Sequence, residues 1–385
     1  MAETWADKPR GCYAYRARSQ RGMFSKTSDR GWPEPAKPVA SIQLDTGTGS
    51  GADKTLKNFS AGSRIGKSLF LAADENACID RLTQAGANCW GNHRRFDLAE
   101  LLELDDPEAE ADLEGLAADG QWLWVVGSHA RTRYKPEKFE GECIDLDKLA
   151  NLKETRSRCL LARLPLVADE DGALYPAAQD GERHASLLKQ SKRGNALAEA
   201  LREDPLIAPF THIPAKEGGL DIEGIAVCGG RVALGLRGPV IATHAVLLEI
   251  EISEKKPGRL HLDGEPVKRL LAMDGLGIRD LKRCGDDLLI LAGPTTGLSG
   301  PCAIYRWRGW VQDPPQDPRR VRLHRPERIV EIPFGRGFDH PEGLALWAGD
   351  GEQPRQILVI YDSPAKSRID AKAGTITADL FDLPE

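Results

Sequence analysis

Asp221-Ile222-Glu223-Gly224-Ile225-Ala226, followed by a Gly-Gly turn and the apolar run 232–236, is the stretch of sequence that decides the fold. It reads as strand, turn, strand, because apolar and β-branched residues stand on both sides of a glycine turn. The same acidic hairpin recurs at Asp112-Leu113-Glu114-Gly115-Leu116-Ala117 and at His340-Pro341-Glu342-Gly343-Leu344-Ala345. The shared pattern is D-x-E-G-h-A, where h is an apolar residue.

Two weaker copies extend the series. One begins at Ile278-Arg279-Asp280-Leu281, and another is predicted over Ser68–Glu75 with Arg64-Ile65-Gly66 as its turn. The units that begin at residues 221, 280 and 340 are separated by steps of 59 and 60 residues, and the step from 112 to 221 is close to two of these. Short strands with a period of roughly 40–60 residues are typical of four-stranded propeller blades. The sequence therefore predicts an all-β fold, a six- or seven-bladed β-propeller over residues 39–385.

Two segments depart from the repeat. From about residue 145 to 210 the chain is rich in Leu, Ala, Lys, Arg and Glu, and Asn195–Arg202 has helical spacing. We expect a partly helical insertion there, with one strand over Cys159–Leu164. Residues 1–38 are rich in Arg, Gly and Ser with little periodicity, and this predicts a loosely ordered N-terminal arm.

Composition excludes several classes of function. The net charge is −6, which predicts no affinity for nucleic acid or for anionic membranes. No run approaches 18 apolar residues, and the first residues lack the features of a secretory signal. The eight cysteines are scattered without a C-x-x-C pair, which argues against a zinc site or a disulfide framework. Together these features predict a cytoplasmic protein.

Ala61–Ser68 satisfies a relaxed phosphate-loop pattern. That motif binds phosphate only between a strand and a helix, whose N-terminus receives the anion. The run that follows, Leu69–Ala72, reads as a strand, so we predict no nucleotide and no organic cofactor.

The acidic strand starts are the main candidate site. The innermost strands of a propeller line its channel, so equivalent positions form a ring. The carboxylates that would converge at one mouth are Asp112, Glu114, Asp221, Glu223, Asp280 and Glu342. Clustered carboxylates repel one another, and such a cluster persists if a cation or arginines neutralise it or if it is wet.

Three interpretations of this ring stay open. The carboxylates are hydrogen-bonded locks between blades, ligands of a channel cation, or catalytic groups. As hard oxygen ligands they would favour Ca²⁺ or Mg²⁺. The candidate metal ligands are Asp112, Glu114, Asp221, Glu223 and Glu342.

The ends of the second strands form another predicted ring at the same mouth. Ser128 and His129 follow one hairpin, Arg237 follows the next, and Asp362 ends the last. His129 is a candidate general base or ligand, although a histidine at a strand end is more often a structural residue. The candidate catalytic residues are Glu114, Glu223 and His129. The candidate substrate-binding residues are Arg237, Arg279 and Ser128.

The ordered motifs resemble a known family. D-x-E-G-[LI]-A, G-S-H-[AS], L-G-L-R-G-P, A-G-P-T, H-P-E-G-L and Y-D-S-P occur in this order between Ser41 and Pro364, and the set resembles the bacterial domain-of-unknown-function 3616 family. The resemblance implies a β-propeller similar in pattern to the esterase-like phytases. Gluconolactonase-like propellers use a glutamate from an E-G strand start as a Ca²⁺ ligand, which Glu342 would match.

Two functions follow as competing hypotheses. The first is a divalent-cation-dependent hydrolase of a phosphoester or ester, in which Arg237 and Arg279 clamp a small anionic substrate. The second is a non-catalytic scaffold propeller that binds a protein partner, with its acidic ring serving stability. Neither predicts a membrane or nucleic-acid partner.

Overall fold

The computed structural model describes residues 32–48, 56–73, 77–104, 111–134, 136, 143–153, 156–315, 317–334, 339–348 and 353–384. Most of the predicted N-terminal arm lies outside these residues. The described chain is almost entirely β-structure. No helix in it is long and apolar enough to cross a membrane.

The strands form four-stranded blades that begin at the channel and run outward in chain order, except that the outermost strand of blade 5 is the first strand of the chain. The first strand of the chain is β1 (Ala40–Asp45). Blade 1 consists of β2 (Phe59–Ile65), β3 (Ser68–Ala73), β4 (Cys78–Gly86) and β5 (Cys89–Asp97), and is followed by helix α1 (Leu98–Leu102).

Blade 2 is interrupted by a long insertion. Its four strands are β6 (Leu113–Asp119), β7 (Trp122–Gly127), β10 (Leu161–Ala168) and β14 (Ser186–Leu188). Short strands and two helices lie between and after these: β8 (Thr132–Arg133), α2 (Leu146–Ala150), β9 (Leu152–Lys153), β11 (Leu174–Pro176), β12 (Gln179–Asp180), β13 (Arg183–His184), β15 (Gln190–Ser191), β16 (Gly194–Asn195) and α3 (Ala196–Glu203).

Blades 3, 4 and 5 follow. Blade 3 consists of β17 (Asp221–Cys228), β18 (Arg231–Ile241), β19 (His244–Lys256) and β20 (Arg259–Ala272). Blade 4 consists of β21 (Gly277–Cys284), β22 (Asp287–Gly293), β23 (Cys302–Trp307) and β25 (Glu327–Ile332), while β24 (Arg322–His324) pairs with β20. Blade 5 consists of β26 (His340–Trp347), β27 (Gln356–Asp362), β29 (Thr375–Asp382) and β1, while β28 (Ile369–Asp370) pairs with β29.

Blade 5 closes the ring, because its outermost strand comes from the other end of the chain. β1 pairs antiparallel with β29, so that Ala40 lies opposite Leu380 and Asp45 opposite Thr375. β1 also touches β5 of blade 1 in parallel register. The two ends of the propeller sequence are therefore held together by main-chain hydrogen bonds.

Alternating side chains bury both faces of each blade. In β22, Leu288 and Ile290 pack into the core shared with blade 3, whereas Leu289 and Leu291 pack into the core shared with blade 5. This follows from the two-residue period of a strand. It also explains why the second strands are continuous apolar runs, since neither face meets water.

The described part of the chain forms five blades, so the predicted six or seven is wrong. Each pair of neighbouring innermost strands is in contact, in the closed order β2, β6, β17, β21, β26 and back to β2. Five apolar cores fill the five interfaces. The 109-residue step between the second and third acidic hairpins is one blade enlarged by an insertion, and not two blades.

The insertion is partly helical, as predicted. Asn195 caps α3, because its side chain accepts a hydrogen bond from Ala198 N. Leu197 and Leu201 are buried on one side of this helix against blade 3. The predicted strand near Cys159 is β10, which begins two residues later, at Leu161.

The glycine of the E-G motif lets the innermost strands approach one another. A Cβ atom on Gly224 would lie 2.9 Å from Leu281 N and 3.0 Å from Asp280 Cα, both in the next blade. One on Gly343 would lie 3.2 Å from the backbone of Ala61. Backbone atoms cannot give way as a flexible side chain does, so these positions require glycine.

Asp280 and Lys282 join three blades at the channel axis. Lys282 Nζ lies 2.7 Å from both carboxylate oxygens of Asp280 and donates to the carbonyl of Leu116, in blade 2, at 3.1 Å. Asp280 Oδ2 accepts from Leu344 N, in blade 5, at 2.7 Å. Both side chains are buried, and Lys282 also lines a cavity of about 60 Å³ at the end of the channel away from the strand starts.

We predict that Gly224→Ala destabilises the propeller by about 1–3 kcal/mol, because the added Cβ forces neighbouring backbones apart. Gly297→Ala is the matched control, since nothing lies within 4 Å of a Cβ atom there. Urea unfolding measures both. Equal midpoints for the two variants would show that the strands do not depend on this close approach.

Lys282→Met should cost about 3–5 kcal/mol, because it leaves the carboxyl of Asp280 buried without its cation. Burial already raises the pKa of Asp280 to about 6, even beside Lys282. A carboxyl whose folded pKa is raised binds its proton more tightly in the folded state, so stability falls as pH rises above the unfolded pKa. The loss should therefore be larger at pH 8 than at pH 5.

The double variant Asp280→Asn, Lys282→Met should recover part of this loss and lose the dependence on pH. Denaturant unfolding at the two pH values provides the measurement. A single variant that is equally destabilised at both pH values would mean that the Asp280 charge is not the cause.

Candidate functional site

The mouth is the end of the channel at which the innermost strands begin. Each of these strands carries a β-bulge at the same place, where two residues oppose one on the neighbouring strand. Bulges re-aim side chains and are common beside functional sites. The bulge residues of blades 1 to 5 are Ser60, Glu114, Glu223, Arg279 and Glu342. The E of each E-G motif is therefore the residue in the bulge.

Two arginines hold the carboxylates of blades 3 and 5, Arg237 from blade 3 and Arg279 from blade 4. Arg237 Nη2 lies 2.5 Å from Asp221 Oδ2, and Arg237 Nη1 lies 2.6 Å from Glu223 Oε1. Arg279 Nε lies 3.1 Å from Glu223 Oε2, and its Nη2 contacts Glu342 Oε1. All of these side chains are at least 87% buried. We call this set the arginine network: Asp221, Glu223, Arg237, Arg279 and Glu342.

The network brings Asp221, Glu223 and Glu342 together, and guanidinium groups neutralise them. Burial by itself would lower the pKa of Arg237, but the negative charges of Asp221, Glu223 and Glu114 raise it above its ordinary value. Arg237 thus carries its charge at any physiological pH. Both predicted substrate-binding arginines are engaged by carboxylates of the chain itself.

Asp112 lies at the start of blade 2 and has other partners than the members of the arginine network. Its backbone has a φ of 49°, and Ser128 Oγ donates to its carboxylate. Arg158 Nη1 contacts the same oxygen at 2.5 Å. Arg158 belongs to none of the motifs described above, and sequence reasoning missed it. Ser128 is fully buried and its hydroxyl faces Asp112, so its predicted role in substrate binding has no support in this geometry.

Glu114 differs from the other acids of the mouth. Among the described residues, no group forms a hydrogen bond or ion pair with its carboxyl. Burial, followed by the negative charges of Glu223, Asp112 and Asp221, holds the pKa of Glu114 well above its ordinary value. Part of its surface is nevertheless accessible. Glu114 is therefore a carboxyl that holds its proton more tightly than an ordinary glutamate and is partly accessible.

Glu223 is the neighbour that influences Glu114 most among the charged groups. Burial raises the pKa of Glu223 to about 7, although Arg237 and Arg279 oppose the shift. Both carboxyls thus hold their protons more tightly than an ordinary glutamate. Acids with raised pKa values are typical of acid–base catalysis.

His129 is held by hydrogen bonds at both ring nitrogens. Nδ1 lies 2.8 Å from the carbonyl of Gly127, and Nε2 lies 3.0 Å from Asn195 Nδ2. Because a carbonyl accepts and an amide N–H donates, Nδ1 carries the proton and Nε2 accepts. Burial lowers the pKa of His129 to about 4. The predicted catalytic role of His129 would require it to give up the bond to Asn195.

Asp280, which we expected at the mouth, lies one position further along its strand. Arg279 occupies the bulge, and Asp280 takes the place that glycine has in the D-x-E-G and H-P-E-G blades, where it contacts Lys282. In this weaker copy of the hairpin, an arginine therefore stands at the mouth where blades 2, 3 and 5 have a glutamate.

Two further groups lie near the network. Asp362 ends β27, pairs with His340 in register, and has its pKa raised by burial. Lys216 lies in the loop before β17, and its charge acts on both Glu223 and Asp362. Sequence reasoning missed Lys216. The signal available in the sequence was the position of Lys216, five residues before Asp221 at the start of β17.

The donors at the mouth do not fit a divalent cation as they are arranged. Within the described residues, no three His, Cys, Asp or Glu side chains are grouped so that they could hold a metal ion. Oxygens of Asp221, Glu223 and Glu342 are engaged by guanidinium groups that supply the neutralising charge. No catalytic step is therefore assigned to a metal.

Comparisons with solved structures find matches of low similarity. Glutaminyl cyclase from Myxococcus xanthus matches with a TM-score of 0.41 and 12% identity, covering 91% of this chain and 100% of that one. An exo-1,5-alpha-L-arabinanase from a bovine ruminal metagenomic library matches with a TM-score of 0.35 and 10% identity, covering 84% and 93%. The PQQ-bound aldose sugar dehydrogenase from Streptomyces coelicolor matches with a TM-score of 0.34 and 11% identity, covering 90% and 100%.

No curated protein matches the sequence. The similarity to esterase-like phytases therefore stays a prediction. One family model matches residues 58–379, and its description is "Protein of unknown function (DUF3616)". This range contains all five bulges and the whole arginine network, and the chain belongs to the DUF3616 family.

Proposed function

We propose that the protein is a hydrolase of carboxylic esters whose catalytic groups are Glu114 and Glu223 at the mouth of the propeller. The observation that carries the proposal is the unpaired, partly accessible Glu114 carboxyl beside Glu223. A carboxyl group that only holds neighbouring blades together would use its oxygens in hydrogen bonds or ion pairs, as Asp280 does. Glu114 keeps its atoms available to a substrate.

The two pKa values assign the roles. Glu223, with a pKa of about 7, is partly ionised at neutral pH and accepts a proton from the attacking water. The resulting hydroxide adds to the ester carbonyl. Glu114 is protonated and donates its proton to the leaving alkoxide oxygen. Product release and proton exchange with solvent restore both groups.

Arg237 and Arg279 act on Glu223 and not on the substrate. They hold its carboxylate from two sides, which fixes its orientation and keeps the pKa from rising further. Arg279 is fixed in turn by Glu342. This supports a positioning role for the three residues Arg237, Arg279 and Glu342.

The charges favour a carboxylic ester over a phosphoester. A phosphoester would bring negative charge next to Asp112 and Asp221, and the arginines that could receive it are occupied. The carbonyl of a carboxylic ester is neutral. The predicted requirement for Ca²⁺ or Mg²⁺ is a separate hypothesis that this donor set does not support.

A scaffold propeller is the second candidate function. It is favoured by the arginine network, which joins blades 3, 4 and 5 and would serve stability in the absence of any reaction. A scaffold function does not explain why the Glu114 carboxyl has no described partner. A cytoplasmic location fits both functions, since the seven cysteines in the described part of the chain are free thiols.

We predict that Glu114→Gln and Glu223→Gln each lower kcat/KM for p-nitrophenyl esters by about 10²- to 10⁴-fold, the usual contribution of a general acid or base. In the parent protein, kcat/KM should rise with an apparent pKa near 7 as Glu223 ionises and fall at higher pH as Glu114 ionises. Glu114→Gln should remove the alkaline limb.

Glu170→Gln is the matched control, because Glu170 is exposed on the loop after β10. Thermal unfolding checks the fold, and Glu114→Gln should not lower the Tm, since no described bond is lost. Ester hydrolysis that survives both substitutions would refute the assignment, and a parent protein inert towards a broad ester panel would favour the scaffold.

Metal removal provides an independent prediction. Because guanidinium groups neutralise the mouth, dialysis against EDTA and readdition of Ca²⁺ or Mg²⁺ should change neither the Tm nor the ester hydrolysis. A ligand that binds only the folded state raises the Tm. A Ca²⁺-dependent rise in Tm that Glu342→Gln abolishes would restore the metal hypothesis.

A further inference from the structure

Lys216 lies in a short loop that the fold holds at the mouth. The loop is fixed on both sides of this residue: Ala215 N donates to the carbonyl of Arg131 at 3.0 Å, and Glu217 forms two contacts with Arg133, at 2.6 and 3.0 Å. Gly219 then packs against Gly238, where β18 leaves blade 3. The loop therefore spans from the tip of blade 2 to the start of β17.

The Lys216 side chain is exposed between these anchors, and its charge reaches two blades. It lowers the pKa of Glu223 in blade 3 and of Asp362 in blade 5, in opposition to burial. Blades 3 and 5 are not neighbours in the ring. The bonds of the loop agree with this, since Pro214 and Ala215 pair with Arg131 at the tip of blade 2, beside the mouth.

The other cations near the catalytic pair are occupied. Arg237 holds Asp221 and Glu223, Arg279 holds Glu223 and Glu342, and Arg158 holds Asp112. For Lys216, the described residues provide no hydrogen bond or ion pair. An arriving anion can contact it without displacing a carboxylate of the protein.

We propose that Lys216 determines specificity by binding an anionic group at the acyl end of the substrate, so that the preferred substrates are half-esters of dicarboxylic acids. The inference rests on the proposed ester hydrolase. Such a substrate places its neutral carbonyl at Glu114 and Glu223 and its free carboxylate at the rim, away from the acidic interior. The residue that recognises the anion is thus Lys216 and not the predicted clamp of Arg237 and Arg279.

The test compares mono-p-nitrophenyl adipate with p-nitrophenyl hexanoate, which share the leaving group and chain length and differ in the terminal carboxylate. A charge-assisted hydrogen bond changes such a ratio by about tenfold or more. We expect kcat/KM to favour the adipate half-ester by about tenfold, and added salt to reduce the preference.

Lys216→Ala should remove the preference, so that kcat/KM becomes equal for the two esters, while Lys216→Arg should keep most of the preference. Lys256→Ala is the matched control, since Lys256 is an exposed lysine at the end of β19 away from the mouth. Hydrolysis of both esters with no preference, or with a preference that survives Lys216→Ala, would overturn the inference and leave the hydrolase standing.

A binding measurement distinguishes a failure of the Lys216 inference from a failure of the proposed ester hydrolase. Monomethyl adipate should raise the Tm of the parent protein and of Lys256→Ala, but not of Lys216→Ala. If neither chromogenic ester is hydrolysed, the proposed reaction fails while this shift still supports anion binding by Lys216. Equal shifts in the parent and Lys216→Ala, or no shift in either, would contradict the inference.

Discussion

The ion pairs of Arg279 are the interaction on which the mouth depends. This guanidinium stands in blade 4 where blades 2, 3 and 5 have a glutamate, and it contacts Glu223 on one side and Glu342 on the other. Without it, Glu342 would lose this guanidinium and Glu223 would keep only Arg237. Breaking a buried pair leaves an unpaired charge, which is costly. The exchange of glutamate for arginine in one blade is therefore what permits acids in the others.

The same exchange divides the acids of the mouth into two kinds. Glu223 and Glu342 are held by Arg279, and Asp221 and Glu223 by Arg237. Glu114 lies beside them without a described partner, in the negative field of Glu223, Asp112 and Asp221. If every blade carried the same residue in its bulge, these residues would all have the same role. The asymmetry among blades leaves one carboxyl held by two arginines and one whose pKa is raised without a described partner, and from this arrangement we derive the proposed reaction.

The sequence predicted the fold class and strand starts that lie at one mouth, because the D-x-E-G hairpins at Asp112 and Asp221 indicate strand and turn locally. The blade number was wrong, since an insertion inside blade 2 has the same length in sequence as an additional blade. The arginine network could be predicted only in part: Arg237 follows its own hairpin, but its pairing with Asp221 and Glu223 depends on strand register. Lys216 and Arg158 lie in loops, where no periodicity indicates a position in space.

The central claim is that Glu114 and Glu223 are a pair of carboxyls whose pKa values are raised and separated by their surroundings. NMR titration of the side-chain carboxyl carbons, with Glu114→Gln and Glu223→Gln for assignment, measures this directly. The account predicts that Glu223 titrates near 7 and that Glu114 stays protonated to higher pH. Titration of both groups near the ordinary glutamate value of 4.5 would contradict it.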